Sequence, residues 1–460
     1  MSGASTTTNK SREVIHRLAA GRALREKVSR SRQAEWKPAR NRADPLSLLA
    51  DSDQHRLPEL LPIRYGRMSK SPFTFLRGSA AIMAADLART PTSGLRVQAG
   101  GDCHIENFGA FATAERNLIF DINDFDETQP APWEWDLKRL TASIEVAARC
   151  ADFKKAYREE AVRAAVRSYR DHMLEYGPLT ALEVWYQRID LNALVRKIPR
   201  QTERAKTRRE IQKARRESMP GHLFPAMARQ RGKDASIYND PPLIYHPAAR
   251  TKAAYHERVM HAFKRYRDTL NPADRVLLDR YEFKDIAIKV VGIGSVGTFC
   301  AVALLMASER DSLFLQIKEA TASVLERYAG ASPFRNHGER VVTGQRLMQA
   351  ASDILLGWTS GLEPHRHFYI RQLRDMKIAM PIETAGHADL EYFAEACGWA
   401  LARAHARSGD PAKIAGYLGE GETFDDAIVK FAAAYADQTE QDYAALVKAI
   451  KSGKIKILDA

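Results

Sequence analysis

From Gly101 to Asp136 the chain carries G-D-C-H-I-E-N-F-G, a short apolar run, F-D-I-N-D-F-D-E and then W-E-W-D-L. These residue types, in this order, suit transfer of a group to a hydroxyl. Asp102 can take the hydroxyl proton, and Asn107 in the same loop can turn an amide oxygen to a hard cation. Asp124, at the next strand end, can bridge that cation to phosphate, and Asp126 is a candidate second ligand. Magnesium takes one or two carboxylates and completes its shell with phosphate oxygens and water, which matches this inventory. A base beside metal ligands around a nucleotide is the arrangement of phosphoryl transfer. An EF-hand does not fit, because Phe125 occupies the third ligand slot of D-I-N-D-F-D. Acids set around Phe125 in an apolar strand are costly unless paired or metal-bound. His104 either orients the loop or touches substrate.

Such chemistry also needs a cover over the phosphates and a cation for them. K-V-V-G-I-G-S-V-G-T, from Lys289 to Thr298, sets Gly292, Gly294 and Gly297 between two strand-like runs. A glycine-rich hairpin lets backbone N–H groups approach phosphate without side-chain obstruction. Lys318 ends the following apolar alternation, so a glycine loop and a strand lysine occur in succession. Read separately, the glycines could make an ordinary hairpin turn and Lys318 could guard a sheet edge. Gly338 to Ser352 is predicted to be a helix supplying a partner for Lys318, with Glu339 the first choice and Gln345 the alternative. Asp353 to Trp358 and His367 to Leu373 are predicted to be two more strands leading to a hinge. Arg64, Arg67 and Arg77 lie near Asp102 in sequence. They suit either phosphate, which an arginine fork matches, or ion pairs with Glu127, Glu134 or Asp136.

At these residues the chain resembles a known group. G-D-C-H-I-E-N is similar to the catalytic loop of aminoglycoside and other small-molecule phosphotransferases of the protein-kinase-like superfamily, whose pattern is H-G-D-x-H-x-x-N. N-D-F-D resembles their metal-binding strand end, and Trp135-Asp136-Leu137 their D-L-A. R-Y-G-R-M-S-K-S-P-F-T-F-L-R-G, P-W-E-W-D-L-K-R-L and F-Y-I-R-Q-L-R-D-M-K together resemble a bacterial family known as domain of unknown function 2252, over Arg22 to Ile450. One departure is Gly100, which stands where the superfamily has a histidine supporting the loop. The resemblance implies an α/β, α+β two-lobe kinase-like fold that binds ATP with magnesium or manganese. Asp102 is then the base, Asn107, Asp124 and Asp126 the metal ligands, Lys318 the phosphate lysine and the three glycines the lid. Because the glycine loop and lysine follow the catalytic loop, the fold would be circularly permuted, which is tolerated where termini lie close and exposed. The acceptor is an unidentified hydroxyl compound, a small molecule by preference. Nucleotidyl transfer, metal-dependent phosphate hydrolysis, and nucleotide or RNA binding without catalysis remain alternatives.

The elements that must hold these residues follow from pattern. Val97 to Ala99 and Leu118 to Phe120 are predicted strands, with turn residues Gly109, Thr113, Glu115 and Asn117 between them. Leu137 to Glu175 reads as one long amphipathic helix, and Asp389 to Ile450 as helical. His405 resembles the scaffold position of an L-A-x-L-H helix, a structural role. The expected division is 1–60 a basic arm, 61–178 the catalytic-loop part of a helical lobe, 179–271 a basic helical insertion, 272–377 the nucleotide lobe and 378–460 the remainder of the helical lobe. With 460 residues, 45% of them hydrophobic, the chain has core enough for two or three domains. No apolar run is long enough to span a bilayer, and Met1 to Lys10 lacks a signal-peptide core, so a cytoplasmic enzyme is expected. Four scattered cysteines make neither a zinc site nor a disulfide framework. The net charge of +13 raises nucleic-acid binding, but the excess is concentrated in K-I-P-R-Q-T-E-R-A-K-T-R-R-E, where acids are interleaved and aromatics absent. A solvated helical face is the favoured reading there.

Overall fold

The computed structural model describes residues 3–198, 201–217, 224–231, 234–247, 253–290, 292–363, 365–373 and 385–458. Helix makes up 54% and strand 16%, a mixed α/β composition as expected. The R-D-M-K motif at 374–377 and the 377/378 boundary lie outside the described residues.

The acidic motif folds as two short antiparallel pairs, and the two predicted strands, Val97–Ala99 and Leu118–Phe120, fall in different pairs. The strands are β1 (Arg96–Ala99), β2 (Phe108–Ala112), β3 (Leu118–Ile122) and β4 (Gln129–Pro132). β2 and β3 form the hairpin, turning through Thr113 to Asn117, so Gly109 lies inside a strand opposite Asp121. β1 pairs with β4, Val97 facing Ala131. Both acidic stretches are thereby gathered at the base of one hairpin, where the Asn123 N–H donates to the Asn107 carbonyl at 2.8 Å.

The expected long helix is two. Trp133–Cys150 and Lys155–Tyr176 are separated at Asp152, whose φ of +54° turns the chain. The first helix is buried almost all round, Glu134, Asp136, Lys138 and Arg139 included. Trp133 stacks on Tyr169 with ring centroids 5.5 Å apart, anchoring the largest core. His387–Ala406 packs along Lys155–Tyr176, and Thr423–Lys451 closes the lobe. Arg403 reaches from His387–Ala406 to Asp121 at 2.6 Å, a fully buried pair that ties this helix to the end of β3.

The second structural centre is a sheet. β5 (Ala228–Arg231) and β6 (Asp234–Ile237) form a small hairpin. β7 (Ile244–Tyr245), β8 (Glu282–Lys289), β9 (Cys300–Ser308), β10 (Asp311–Ala320), β11 (Gly357–Ser360) and β12 (His367–Gln372) make six antiparallel strands in the order β11-β12-β10-β9-β8-β7. Period-two alternation sorts β10: Leu315 and Ile317 pack with Tyr255, Val259 and Tyr266 of the Ala253–Asp268 helix, while Phe314 meets Ala228, Ala235 and Ile237 of the hairpin. Lys318 shares the face of Phe314. The basic stretch does form a helix, Gln201–Glu217, but the rest of the expected insertion supplies β5 to β7 and covers both faces of the sheet.

The helix after β10 is His337–Met348, shorter than expected and capped by Asn336, whose side chain accepts from the Gly338 and Glu339 N–H groups. Asp353 is not in a strand. Its carboxylate accepts from the Gln372 N–H at 2.5 Å and the Leu355 N–H at 2.9 Å, fixing the end of β12. Among the described residues no helix is long and apolar enough to cross a membrane.

Candidate active site

The loop bearing Asp102 is held by backbone donors. Gly100 and Gly101 N–H groups donate to the two oxygens of Asp136, at 2.6 and 2.9 Å, from the first turn of the Trp133–Cys150 helix. Gly101 adopts φ +79°, a conformation natural to glycine. A side chain at Gly100 would meet Cys103 Sγ at 2.5 Å, so the histidine of the superfamily pattern has no room here. An imidazole arrives from elsewhere: His405 Nε2 lies 3.1 Å from Asp136 Oδ2, and its Nδ1 lies 2.9 Å from the Tyr169 hydroxyl. That chain is wholly buried, and it makes His405 a support for the loop, as the sequence suggested.

Asp102 faces Arg139, which the sequence reading missed because a charge inside a helical run looks like surface. Arg139 Nε donates to Asp102 Oδ1 at 2.6 Å, and its other arm reaches the Leu76 carbonyl at 3.0 Å. Burial holds the Asp102 carboxyl above its ordinary value, with the Arg139 charge pulling the other way. His104 is driven well below its ordinary value by burial and then by Arg77 and Arg139, and so is neutral. Cys103 is pushed well up by burial and by Asp136, which makes it a packing residue. Asn107 Nδ2 donates to the Asp102 carbonyl at 2.6 Å, fixing the amide so that its oxygen remains as an acceptor.

Lys318 reaches this loop. Its Nζ lies 2.7 Å from Asp126 Oδ2 and 3.4 Å from Asp124 Oδ2. Burial alone would lower its pKa, but the two carboxylates outweigh it and hold the ammonium well above its ordinary value. Asp126 also accepts from the Tyr369 hydroxyl at 2.5 Å and from Ser295 Oγ at 3.3 Å. With these donors on it, Asp126 is an anchor for Lys318 more than a second metal ligand. Lys318 is therefore fixed by Asp126, and Glu339, the expected partner, is displaced from that role. The reason is helical phase: Glu339 sits in the capped first turn, and its neighbour Arg340 points inward. Arg340 donates to the carbonyls of Thr128 at 2.5 Å and of Asp126 and Thr321 at 2.8 Å. Gln345, the alternative, bonds Gln349 instead.

The glycine segment, Gly292–Thr298, joins β8 to β9 as a turn folded over the acids. Gly294 is the close approach: a Cβ there would lie 3.6 Å from the Arg77 carbonyl and 4.0 Å from Asp102 Oδ2. Gly292 and Gly294 line one cavity together with Asp102, His104, Asn107, Asp124 and Asp126. Gly297 does not. Its carbonyl accepts the Leu57 N–H at 2.7 Å, and a Cβ on it would lie 3.0 Å from Arg56, so it packs the loop on the N-terminal region. Arg67 likewise stays outside the cavity and holds the loop through the Gly292 carbonyl at 2.8 Å. Arg77 lines the cavity, paired at 2.6 Å with Glu106 and with none of the three acids proposed from sequence. Arg64, also marked from sequence, lines it too, as do Ser52 and Arg56, contributions that no local motif announced.

A bacterial family described as uncharacterized proteins conserved in bacteria, domain of unknown function 2252, matches residues 56–449. The chain belongs to this family. No curated protein and no solved structure matches it. The family segment begins at Arg56, the residue that packs on Gly297, so the match takes in the N-terminal clasp of the glycine loop along with the acids.

As to a metal, no group of three or more His, Cys, Asp or Glu among the described residues is disposed to hold one. One carboxylate, Asp124, and the amide oxygen of Asn107 fit magnesium, a hard cation that leaves most of its shell to phosphate and water. Glu127, next in the chain, is pushed up to about 7 by burial, against the Val324 N–H, which donates to it at 2.7 Å. Its folded pKa exceeds the unfolded one, so folding favours its protonated form. Stability is then greatest below the ordinary carboxylate range, falls as pH rises towards 7 and is level above. Thermal unfolding of Glu127→Gln is expected to lose that slope between pH 5 and 8; an unchanged slope would refute the assignment.

Proposed function

We propose that this chain is an ATP- and magnesium-dependent phosphotransferase of kinase-like, circularly permuted fold, acting on the hydroxyl of a small molecule. The observation carrying this reading is that Lys318 meets Asp124 and Asp126 across 194 and 192 residues of chain, and that these two acids line one cavity with Asp102 and Gly294. The order glycine loop, strand lysine, helix and two further strands also supports it, since β8 to β12 and the His337–Met348 helix follow that succession. A bound magnesium ion would neutralise charge on the phosphates and hold them in line. Asp124 and Asn107 would hold that ion, with Asp126 keeping Lys318 directed at the phosphates. Asp102 accepts the proton of the attacking hydroxyl, and Arg139 fixes its carboxylate. The Gly292–Thr298 turn covers the site and excludes water.

Calorimetry tests this directly. ATP should bind in the presence of magnesium, and Asp124→Ala should weaken binding by roughly tenfold or more, since one of few carboxylate ligands is lost. No heat with ATP or GTP, with magnesium or manganese, would remove the reading. Transfer to the acceptor should add the mass of one phosphoryl group.

A further inference from the structure

One wall of the cavity is built from arginines of the N-terminal region. Arg56, Arg64 and Arg77 all line it, and the Nε of each is buried without a hydrogen bond. Carboxylates are too few for them. Asp53 serves both Arg56, at 3.3 Å, and Arg64, at 3.5 Å, while also accepting the Tyr65 hydroxyl at 2.5 Å. Glu106 takes Arg77 at 2.6 Å. The other acids lining this part are engaged elsewhere: Glu319 with Arg366 at 2.6 Å, and Glu127 with the Val324 N–H. Other donors go to neutral acceptors, Arg56 to the Val296 carbonyl at 2.5 Å, and Arg64 to the Gly78 carbonyl and the Met68 sulfur, each at 2.7 Å. Burial and the neighbouring Arg64 lower Arg56 to about 10, the mark of a cation short of counter-charge.

We propose that Arg56, Arg64 and Arg77 form an anion subsite, shaped for phosphate, that holds an acidic group on the acceptor while its hydroxyl faces Asp102. This rests on the phosphotransferase reading above. Arginine forks match phosphate oxygens with paired donors, and unsatisfied buried guanidinium groups gain most from such a partner. The assignment to acceptor follows from position. The nucleotide phosphates have Lys318 and the backbone of the glycine turn, whereas Arg64 and Arg77 come from the Leu61–Met68 and Pro72–Gly78 helices, and Arg77 lines the cavity with Asp102 while paired to Glu106, next to Asn107 in the chain. The acceptor class is thus a phosphorylated or otherwise anionic hydroxyl compound, and neutral polyols are poor substrates.

Inorganic phosphate is the probe, titrated calorimetrically into the full chain alone and into the chain saturated with magnesium and a non-hydrolysable ATP analogue. Phosphate is expected to bind the analogue-saturated protein. Arg56→Gln and Arg77→Gln should each weaken it by at least about tenfold, Arg77→Gln with analogue affinity retained. Arg77 is the less buried of the two, so it decides the matter should Arg56→Gln misfold. Phosphate that competes with the analogue, that fails to bind, or that binds Arg77→Gln as it binds the parent protein would overturn the subsite. Arginine-dependent phosphate binding without any binding of the analogue would instead leave the anion site standing and defeat the nucleotide reading.

Discussion

Lys318→Met is expected to lower ATP-dependent turnover by two or more orders of magnitude, because the group that aligns the phosphates is lost from a site where misplacement alone costs about 100-fold. It should also destabilise the protein without magnesium. Breaking a buried pair costs roughly 3–5 kcal/mol by leaving charge uncompensated. Here Asp124 and Asp126 are about a third exposed, with side-chain exposures of 33% and 29%, so solvent reduces the loss to about 1–3 kcal/mol. Magnesium should recover part of it, since a divalent cation held by Asp124 and Asn107 would offset the uncompensated carboxylate charge. The pH dependence has a definite sign. A lysine held above its unfolded pKa stabilises fully below that value, and the contribution is lost only as pH rises through the folded one. The difference between the parent and the variant should therefore be constant from pH 6 to 9. Urea melts with and without magnesium measure this; equal stability and wild-type turnover would take Lys318 out of the site.

Which parts of this arrangement could be read beforehand follows from the range of the interactions. Asp102, Asn107 and Asp124 sit in one continuous motif whose residue types announce their chemistry, and Lys318 was marked by ending an alternating run. Their meeting needed only that the two motifs share a cleft. Neither Glu339 nor Gln345, the two partners expected for Lys318, takes that place, because successive residues on a helix point about 100° apart and one step exchanges half-buried Glu339 for the inward Arg340. The two helices within Leu137 to Glu175 were merged because the break turns at Asp152 on a positive φ, in a stretch with no glycine or proline to mark it. Gly297 and Arg67 carry the right residue types in the right neighbourhood, but the clasp formed by residues 56–67 turns them to packing and backbone bonding. Such long-range pairings leave no local periodicity. Arg56 was silent for the same reason, and Arg64, though marked as a phosphate candidate, was given the wrong acids: nothing near them in sequence names Asp53 as their shared counter-ion.

Asp102→Asn tests the chemical step itself. The amide keeps the size of the carboxylate and can still meet Arg139, so nucleotide affinity should stay near that of the parent while kcat falls by roughly two to four orders of magnitude, the usual worth of a positioned base. Loss in kcat and kcat/KM together would mark an interaction made in the transition state, whereas a rise in KM alone would mean that Asp102 merely binds. The pH profile separates a base from a structural residue. Burial raises the Asp102 pKa, so turnover should fall on its acid limb at a pH above the ordinary carboxylate value of about 3.9. Arg139 opposes that shift by stabilising the charged form. Arg139→Gln should accordingly move the acid limb to higher pH and lower kcat at neutrality, and Arg139→Lys should restore part of it, because a cation still faces the carboxylate, although the paired geometry of the guanidinium is lost. In Asp102→Asn the limb should vanish, since an amide does not titrate. An acid limb that stays in place in both Asp102→Asn and Arg139→Gln would assign the base to another residue, and unchanged turnover in Asp102→Asn would remove Asp102 from the mechanism.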